Sequence, residues 1–169
     1  MAPMDDFSMR TATLSDIDEL FDLWINMQCH MEESNRWIWR ITEEGKVLVR
    51  EKVRQVLVDK NSLVFVADRN GEAVGFIYGQ VVRRTDYLPR NVGIISNIYV
   101  AKGFRRSGLG RRLVEKLCHL FSKDGVEQVT LRYVIGNVEG EEFWRRLGFE
   151  PIITTASTRL DQLRKRLRD

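Results

Sequence analysis

Ile98-Tyr99-Val100, then Gly103-Phe104-Arg105-Arg106-Ser107-Gly108-Leu109-Gly110-Arg111, then a helix striped by Leu109, Leu113, Leu117 and Leu120: this stretch decides how the chain is read. A strand that runs through a glycine-bearing turn into a helix leaves backbone N–H groups unpaired at the helix start. Together with the positive end of the helix dipole, those donors suit a phosphate. Gly108 and Gly110 let an anionic group come close to the backbone, and Arg105, Arg106 and Arg111 add charge where a pyrophosphate would sit. Two common phosphate motifs are excluded. A Walker A loop needs Lys-Ser/Thr where Arg111-Arg112 follow Gly110, and a dinucleotide fingerprint needs a third glycine where Leu113 stands.

Outward from this turn, the pattern is mixed α/β. Phe7-Ser8-Met9-Arg10 alternates like a first strand. Ser15 is expected to cap a helix with Asp16 and Asp18 in its first turn. Ile17, Leu20, Phe21, Trp24 and either Met27 or Gln28 form that helix's apolar stripe. Residues 29–42 have no clear periodicity, and a second helix is expected over 43–58 with Val49, Val53, Val56 and Leu57 inward. Leu63–Ala67 and Ala73–Val82 read as strands about an Asn70-Gly71 hairpin turn, and Val92–Val100 reads as the next. After the glycine-turn helix come a strand over Val126–Ile135, a helix over 138–147 stopped by Gly148, a last strand over Pro151–Thr158, and a short helix carrying Leu160, Leu163 and Leu167.

The 169 residues fit a single domain, 1–169, as no repeat or linker divides them. With 43% hydrophobic and 30% charged residues, the composition is globular and excludes a disordered or fibrous chain. No apolar run is long enough to span a bilayer, and the first ten residues lack the order of a signal peptide. Cys29 and Cys118 make neither a disulfide framework nor a metal cluster, so no metal is expected and the cytoplasm is the expected compartment. The net charge is 27 − 24 = +3. Its arginine clusters (105–106 with 111–112, 145–146 and 164–168) read as solvated surface, and a small anionic ligand explains one of them better than nucleic acid, for which no signature is present. No membrane partner is expected; exposed sheet edges and the apolar C-terminal segment suit a homodimer.

The pattern Arg105-x-x-Gly108-x-Gly110 after Val100 resembles motif A of the GCN5-related N-acetyltransferases, the GNAT family. Met9–Asp16 resembles that family's opening strand and helix. Val64–Asp68 with Ala73–Phe76 resembles its second and third strands. Asn137-x-x-Gly140-x-x-Phe143-Trp144-x-x-Leu147-Gly148-Phe149 resembles its motif B. The resemblance covers nearly the whole chain in order. It implies the GNAT fold, a mixed and mostly antiparallel central sheet flanked by helices, with strands four and five splayed to admit acetyl-CoA. It also implies an acetyl-CoA-dependent N-acetyltransferase that moves acetyl directly to a primary amine in a ternary complex. The backbone at Ile98, Tyr99 and Val100 would meet the pantetheine arm. Arg105, Arg106, Ser107, Gly108, Leu109, Gly110 and Arg111 would meet the pyrophosphate. Asn137 would meet the cofactor directly or through water, or cap its helix.

The catalytic positions depart from the family. Where members carry a Glu base on strand four or five, this chain has Ile94 or Ser96 and Arg132. Where they carry a Tyr acid, it has Trp144, whose indole cannot act as an acid near neutral pH. Ser96, Tyr99, Tyr133 and Trp144 remain as catalytic candidates, with water held by Ser96 or Asn97 as a relay, and His30, Glu32 and Glu33 as groups from elsewhere. His30, Glu33 and Trp37, with Trp39 nearby, are candidates for the acceptor pocket, and the two tryptophans suit core packing equally well. These departures leave a second reading, a non-catalytic acyl-CoA-binding module. Neither cysteine is expected to be a nucleophile.

Overall fold

The computed structural model describes residues 7–168. These divide into two compact units, one running to His30 and resuming from Arg40 to Arg132, the other taking Met31–Trp39 and the described residues from Tyr133 on.

The first unit is built on a five-stranded sheet: β1 (Ser8–Thr11), β2 (Ser62–Arg69), β3 (Glu72–Arg83), β4 (Asn91–Val100) and β5 (Gln128–Leu131), side by side in that order. The first four pair antiparallel and β5 lies parallel to β4. Asn70 and Gly71 both take positive φ (53° and 83°), the geometry of a tight hairpin whose twist matches its strands. Helices cover both faces. Trp24 of α1 (Ile17–Ser34) stacks on Phe76 of β3, ring centroids 5.7 Å apart, while α2 (Glu43–Val58) packs on β2 and α3 (Leu109–Lys123) on β2, β3 and β4. Gly79 and Gly93 make the close approach of α3 possible. A Cβ on Gly93 would sit 2.6 Å from the Phe121 ring, and one on Gly79 2.6 Å from Leu117.

The helix stripes differ in detail from the periodicity. In α1 the buried residues are Leu20, Leu23, Trp24 and Met27, with Ile17 and Phe21 only half-buried. In α3 Phe121, not Leu120, completes the buried face. Ser15 does not cap the first helix; it lies inside a 3-10 turn whose N-cap is Thr13. That turn, Leu14–Asp16, precedes α1, and the Asp16 carboxylate accepts the Thr13 N–H at 2.6 Å. Asp16 is thereby committed to the interior. It takes a two-point contact from Arg10 (Nη1 to Oδ2 2.8 Å, Nη2 to Oδ1 2.7 Å), whose Nε donates to Asp68 at 2.5 Å. Asp16 and Asp68 are both buried, so this bridge ties the start of α1 to the paired strands β1 and β2. The Arg10 guanidinium holds the Asp16 carboxyl below its usual range.

In the second unit Asn137 caps α4 (Val138–Arg146), its Oδ1 accepting the Gly140 N–H at 3.1 Å. Gly148, at φ 85°, ends it. The N–H groups of Gly148 and Phe149 return to the carbonyls of Arg145 and Trp144, a glycine-terminated helix end. Trp144 is buried, edge-on to Phe143 and Phe149 at 4.8 and 5.2 Å. The strand expected over Pro151–Thr158 does not form. Every residue from 150 to 168 is exposed, and only α5 (Leu160–Arg166) is regular. β-branched composition does not make a strand without a ladder to join.

Candidate functional site

The strand expected over 126–135 is shorter in the structure, and that shortening opens the site. β5 pairs with β4 only from Val92↔Gln128 to Ile95↔Leu131. β4 continues to Val100 while β5 stops at Leu131, so the two part after four residues, as strands four and five of the expected fold do. On its other edge β4 stays paired with β3 up to Gly75↔Val100. The Ala101 N–H donates to Val74 O, 2.9 Å. With that bond fixed, the two-residue alternation of an antiparallel ladder places the Tyr99 backbone in the ladder. The N–H and C=O of Ile98 and Val100 then point to the side from which β5 has withdrawn.

A bulge sharpens the parting. Tyr78 pairs with Asn97 and Gly79 with Ile95, so Ser96 is the extra residue on β4. Ser96 is exposed, Ile94 half-buried, and Asn97 faces α1, its Nδ2 donating to Met27 Sδ at 3.8 Å. Arg132 is exposed just past β5. The bulge was not legible in the sequence; its trace is the break in alternation at Ile94-Ile95-Ser96.

Beyond β4, a 3-10 turn over Lys102–Phe104 leads to Arg105. Its Nε donates to Val100 O at 3.1 Å, and its guanidinium lies 5.5 Å from the Tyr99 ring centroid. Arg106 takes φ 61°, unusual for a side-chain-bearing residue. Ser107 Oγ donates to Phe104 O at 2.7 Å, closing the turn on itself. Gly108 takes φ 81°, ψ −4° and starts α3. The Arg112 N–H is the one that bonds back to Gly108 O, so those of Leu109, Gly110 and Arg111 precede the helix ladder. A left-handed residue followed by helical ones turns such N–H groups into one concavity, a site for anionic oxygen. Arg111 is exposed and paired with Glu115 at 2.9 Å.

The structure thus gathers Ile98, Tyr99, Val100 and 105–111 into one strand end and turn. Asn137, Tyr133 and Trp144 belong to the second unit; the Asn137 cap uses Oδ1 and leaves its Nδ2 as a donor. His30 is half-buried and Glu33 exposed near the end of α1. Trp37 is 43% exposed and Trp39 87%, so Trp39 is not core packing; the Arg36 guanidinium lies 5.4 Å from the Trp37 ring. Cys29 is exposed, and burial pushes the half-buried Cys118 thiol above its ordinary pKa, against a nucleophilic thiolate. Among the described residues no group of three or more His, Cys, Asp or Glu is placed to hold a metal ion, and no helix is long and apolar enough to cross a membrane.

Residues 17–149 match the Acetyltransferase (GNAT) family. The chain belongs to that family. It is 26% identical over 144 residues to an uncharacterized N-acetyltransferase of Methanocaldococcus jannaschii, a match that covers 85% of this chain and 61% of that one. The chain therefore spans about three-fifths of that relative's length. Among solved structures, the tetramutant of the BH1408 protein from Bacillus halodurans superposes with a TM-score of 0.80 at 22% identity, covering 90% of this chain and 99% of that one. The aminoglycoside N-acetyltransferase AAC(6')-Iy, solved in complex with CoA, gives 0.67 at 16%, covering 90% and 93%. At these identities both matches speak to the GNAT fold, which the five-stranded sheet and flanking helices share.

Proposed function

We infer that this GNAT chain is an acetyl-CoA-dependent N-acetyltransferase that passes acetyl directly to a primary amine within a ternary complex, and that its two units work as one acetyltransferase domain. The observation that carries the reading is the β4–α3 turn. Three N–H groups ahead of the helix ladder, a left-handed Gly108 and outward-facing groups of Ile98 and Val100 suit a pyrophosphate with an extended arm beyond it. A GNAT relative holding CoA, and a family match running through both units, support it. Asn137 would donate through Nδ2 to the same cofactor, and Trp144, held by Phe143 and Phe149, would wall the thiol end.

Acetyl transfer forms the N–C bond as the amine attacks the thioester carbonyl, and breaks the C–S bond. One proton must leave the nitrogen and one must reach the thiolate. Ile94, Ser96 and Arg132 offer no carboxylate base, and Trp144 no acid. The proton is then relayed by water held at the exposed Ser96 bulge, or moved by Tyr99 or Tyr133, with alignment supplying much of the rate. His30, Glu33 and Trp37 are the proposed acceptor contacts, and the exposed Trp39 favours an amine with an apolar body. A cytoplasmic setting fits the two free cysteines.

The missing base and acid favour a second reading, a non-catalytic acyl-CoA-binding module. Incubation of the chain with acetyl-CoA and a panel of small amines and peptides, read by mass spectrometry, separates the two. An acetylated amine formed over many turnovers supports the transferase; tight acetyl-CoA binding with no acetylated product supports the module.

A further inference from the structure

Arg106, inside the β4–α3 turn, carries a side chain at φ 61°, and Gly108 follows at φ 81°. A side-chain-bearing residue keeps such an angle where its surroundings over-determine it. Here the surroundings are a cluster at the same end of the sheet. The Arg69 guanidinium, at the end of β2, lies 5.7 Å from the Phe7 ring centroid and 5.6 Å from that of Phe104. The two rings meet edge-on with centroids 6.0 Å apart. A guanidinium within about 6 Å of an aromatic face is attracted to it, more strongly when it is partly desolvated, and Arg69 is half-buried. Phe7 is buried, and its carbonyl accepts from Arg112 Nη2 at 3.4 Å. Phe104 immediately precedes Arg105, and Arg112 immediately follows Arg111, so one cluster grips the chain on both sides of 105–111. The Phe104 carbonyl also accepts from Ser107 Oγ, which carries its position into the turn.

We propose that Arg69 is a positioning residue for acetyl-CoA. Held between Phe7 and Phe104, it sets the N–H groups of Leu109, Gly110 and Arg111 for the pyrophosphate without touching the cofactor. The proposal rests on reading the β4–α3 turn as the acetyl-CoA site. Its physical content is preorganisation. A turn already fixed in its binding geometry spares the cofactor the cost of ordering it, and a slack turn gives up affinity by that cost. Arg69 lies on a different strand from the turn it serves, and it acts through Phe104.

Three variants of the full chain test this. Arg69→Met keeps the long apolar stem and removes the cation, Phe104→Leu keeps apolar bulk and removes the ring face, and Phe104→Tyr keeps the face. Two quantities are read: acetyl-CoA affinity by titration calorimetry, and amide hydrogen exchange by NMR in the cofactor-free protein. The exchange probes are the hydrogen-bonded N–H groups of Phe104 and Arg112, which bracket the turn. Arg69→Met and Phe104→Leu are each expected to raise the acetyl-CoA Kd about tenfold, the scale of one such contact, and to speed exchange at both amides. Phe104→Tyr should restore wild-type affinity, and the double variant should bind no more weakly than the worse single one, because both remove the same interaction. A merely structural arginine would instead lower the unfolding midpoint and leave the Kd of the folded protein unchanged. Unchanged affinity in the folded variants, even with faster exchange at the two amides, would overturn the proposal alone. So would losses that add in the double variant. If Arg69→Met does not fold, Phe104→Leu against Phe104→Tyr decides. A wild type that binds no acetyl-CoA would overturn the site and this proposal together.

Discussion

Arg105 donates through Nε to the carbonyl of Val100, 3.1 Å away, and so binds the turn to the end of the strand it leaves. The arginine that looks in the sequence like a phosphate contact is, in the structure, first a brace. It fixes the path of 101–105 and so the direction in which the N–H groups of the turn point. Arg105→Ala is therefore expected to weaken acetyl-CoA binding by about 1.5–3 kcal/mol, the scale of one charge-assisted hydrogen bond. Arg105→Lys should recover little of it, because a flexible ammonium does not reproduce the planar fork over Tyr99. Isothermal titration of both variants checks the ranking; full rescue by lysine would reduce Arg105 to a mere point charge.

The Arg10 bridge predicts a pH dependence of stability. Asp16 has its native pKa lowered, chiefly by the hydrogen bond from Arg10, so its contribution is fully present above the unfolded carboxylate value of about 4. It is lost as pH falls through the lowered native value. Asp16→Asn is expected to cost about 1–3 kcal/mol at neutral pH, less than a fully buried pair because Arg10 still reaches solvent. Denaturant unfolding from pH 7 down to 3 should show the wild-type advantage shrinking as the acid arm is entered. A pH-independent gap would mean that the loss is one of shape and not of charge.

Trp144 packs edge-on against two phenylalanines, and its indole N–H donates without titrating near neutral pH. Trp144→Phe removes the indole N–H and keeps an aromatic ring, so turnover should fall only a few-fold, on the order of 1 kcal/mol for one neutral hydrogen bond. Trp144→Tyr is expected to match or exceed wild type by restoring a titratable hydroxyl. Steady-state rates at saturating acetyl-CoA check both; a thousandfold loss in Trp144→Phe with binding intact would show the indole taking part in the chemistry.

Most of the fold was legible because its signals are local. The Asn70-Gly71 turn, the helix over 43–58 and the glycine turn before α3 are each written in a few adjacent residues. The misreadings are tertiary. Asp16 looked like a first-turn acid beside a Ser15 cap, yet Arg10 and Asp68, brought in by strand pairing, draw it inside. Ser96 sits on a bulge set by its partner strand, and 151–158 has strand composition but forms no strand among the described residues. The glycine-bearing turn could be read from glycines and arginines alone, whereas the bracing role of Arg105 depends on a carbonyl that composition does not reveal. The general base stayed illegible because no carboxylate occupies the expected positions at 94, 96 and 132.

The central claim is that the turn from Arg105 to Arg111 binds acetyl-CoA through its backbone, and Gly108 is where that claim is most exposed. At φ 81° a side chain costs roughly 1–2 kcal/mol of backbone strain, a loss the fold should survive, and it also fills the space an anionic group must enter. Titration calorimetry of acetyl-CoA into the wild type and Gly108→Val, with circular dichroism confirming that both are folded, is the direct measurement. The account predicts measurable binding to the wild type and none to Gly108→Val; equal affinity in the two would place the cofactor elsewhere.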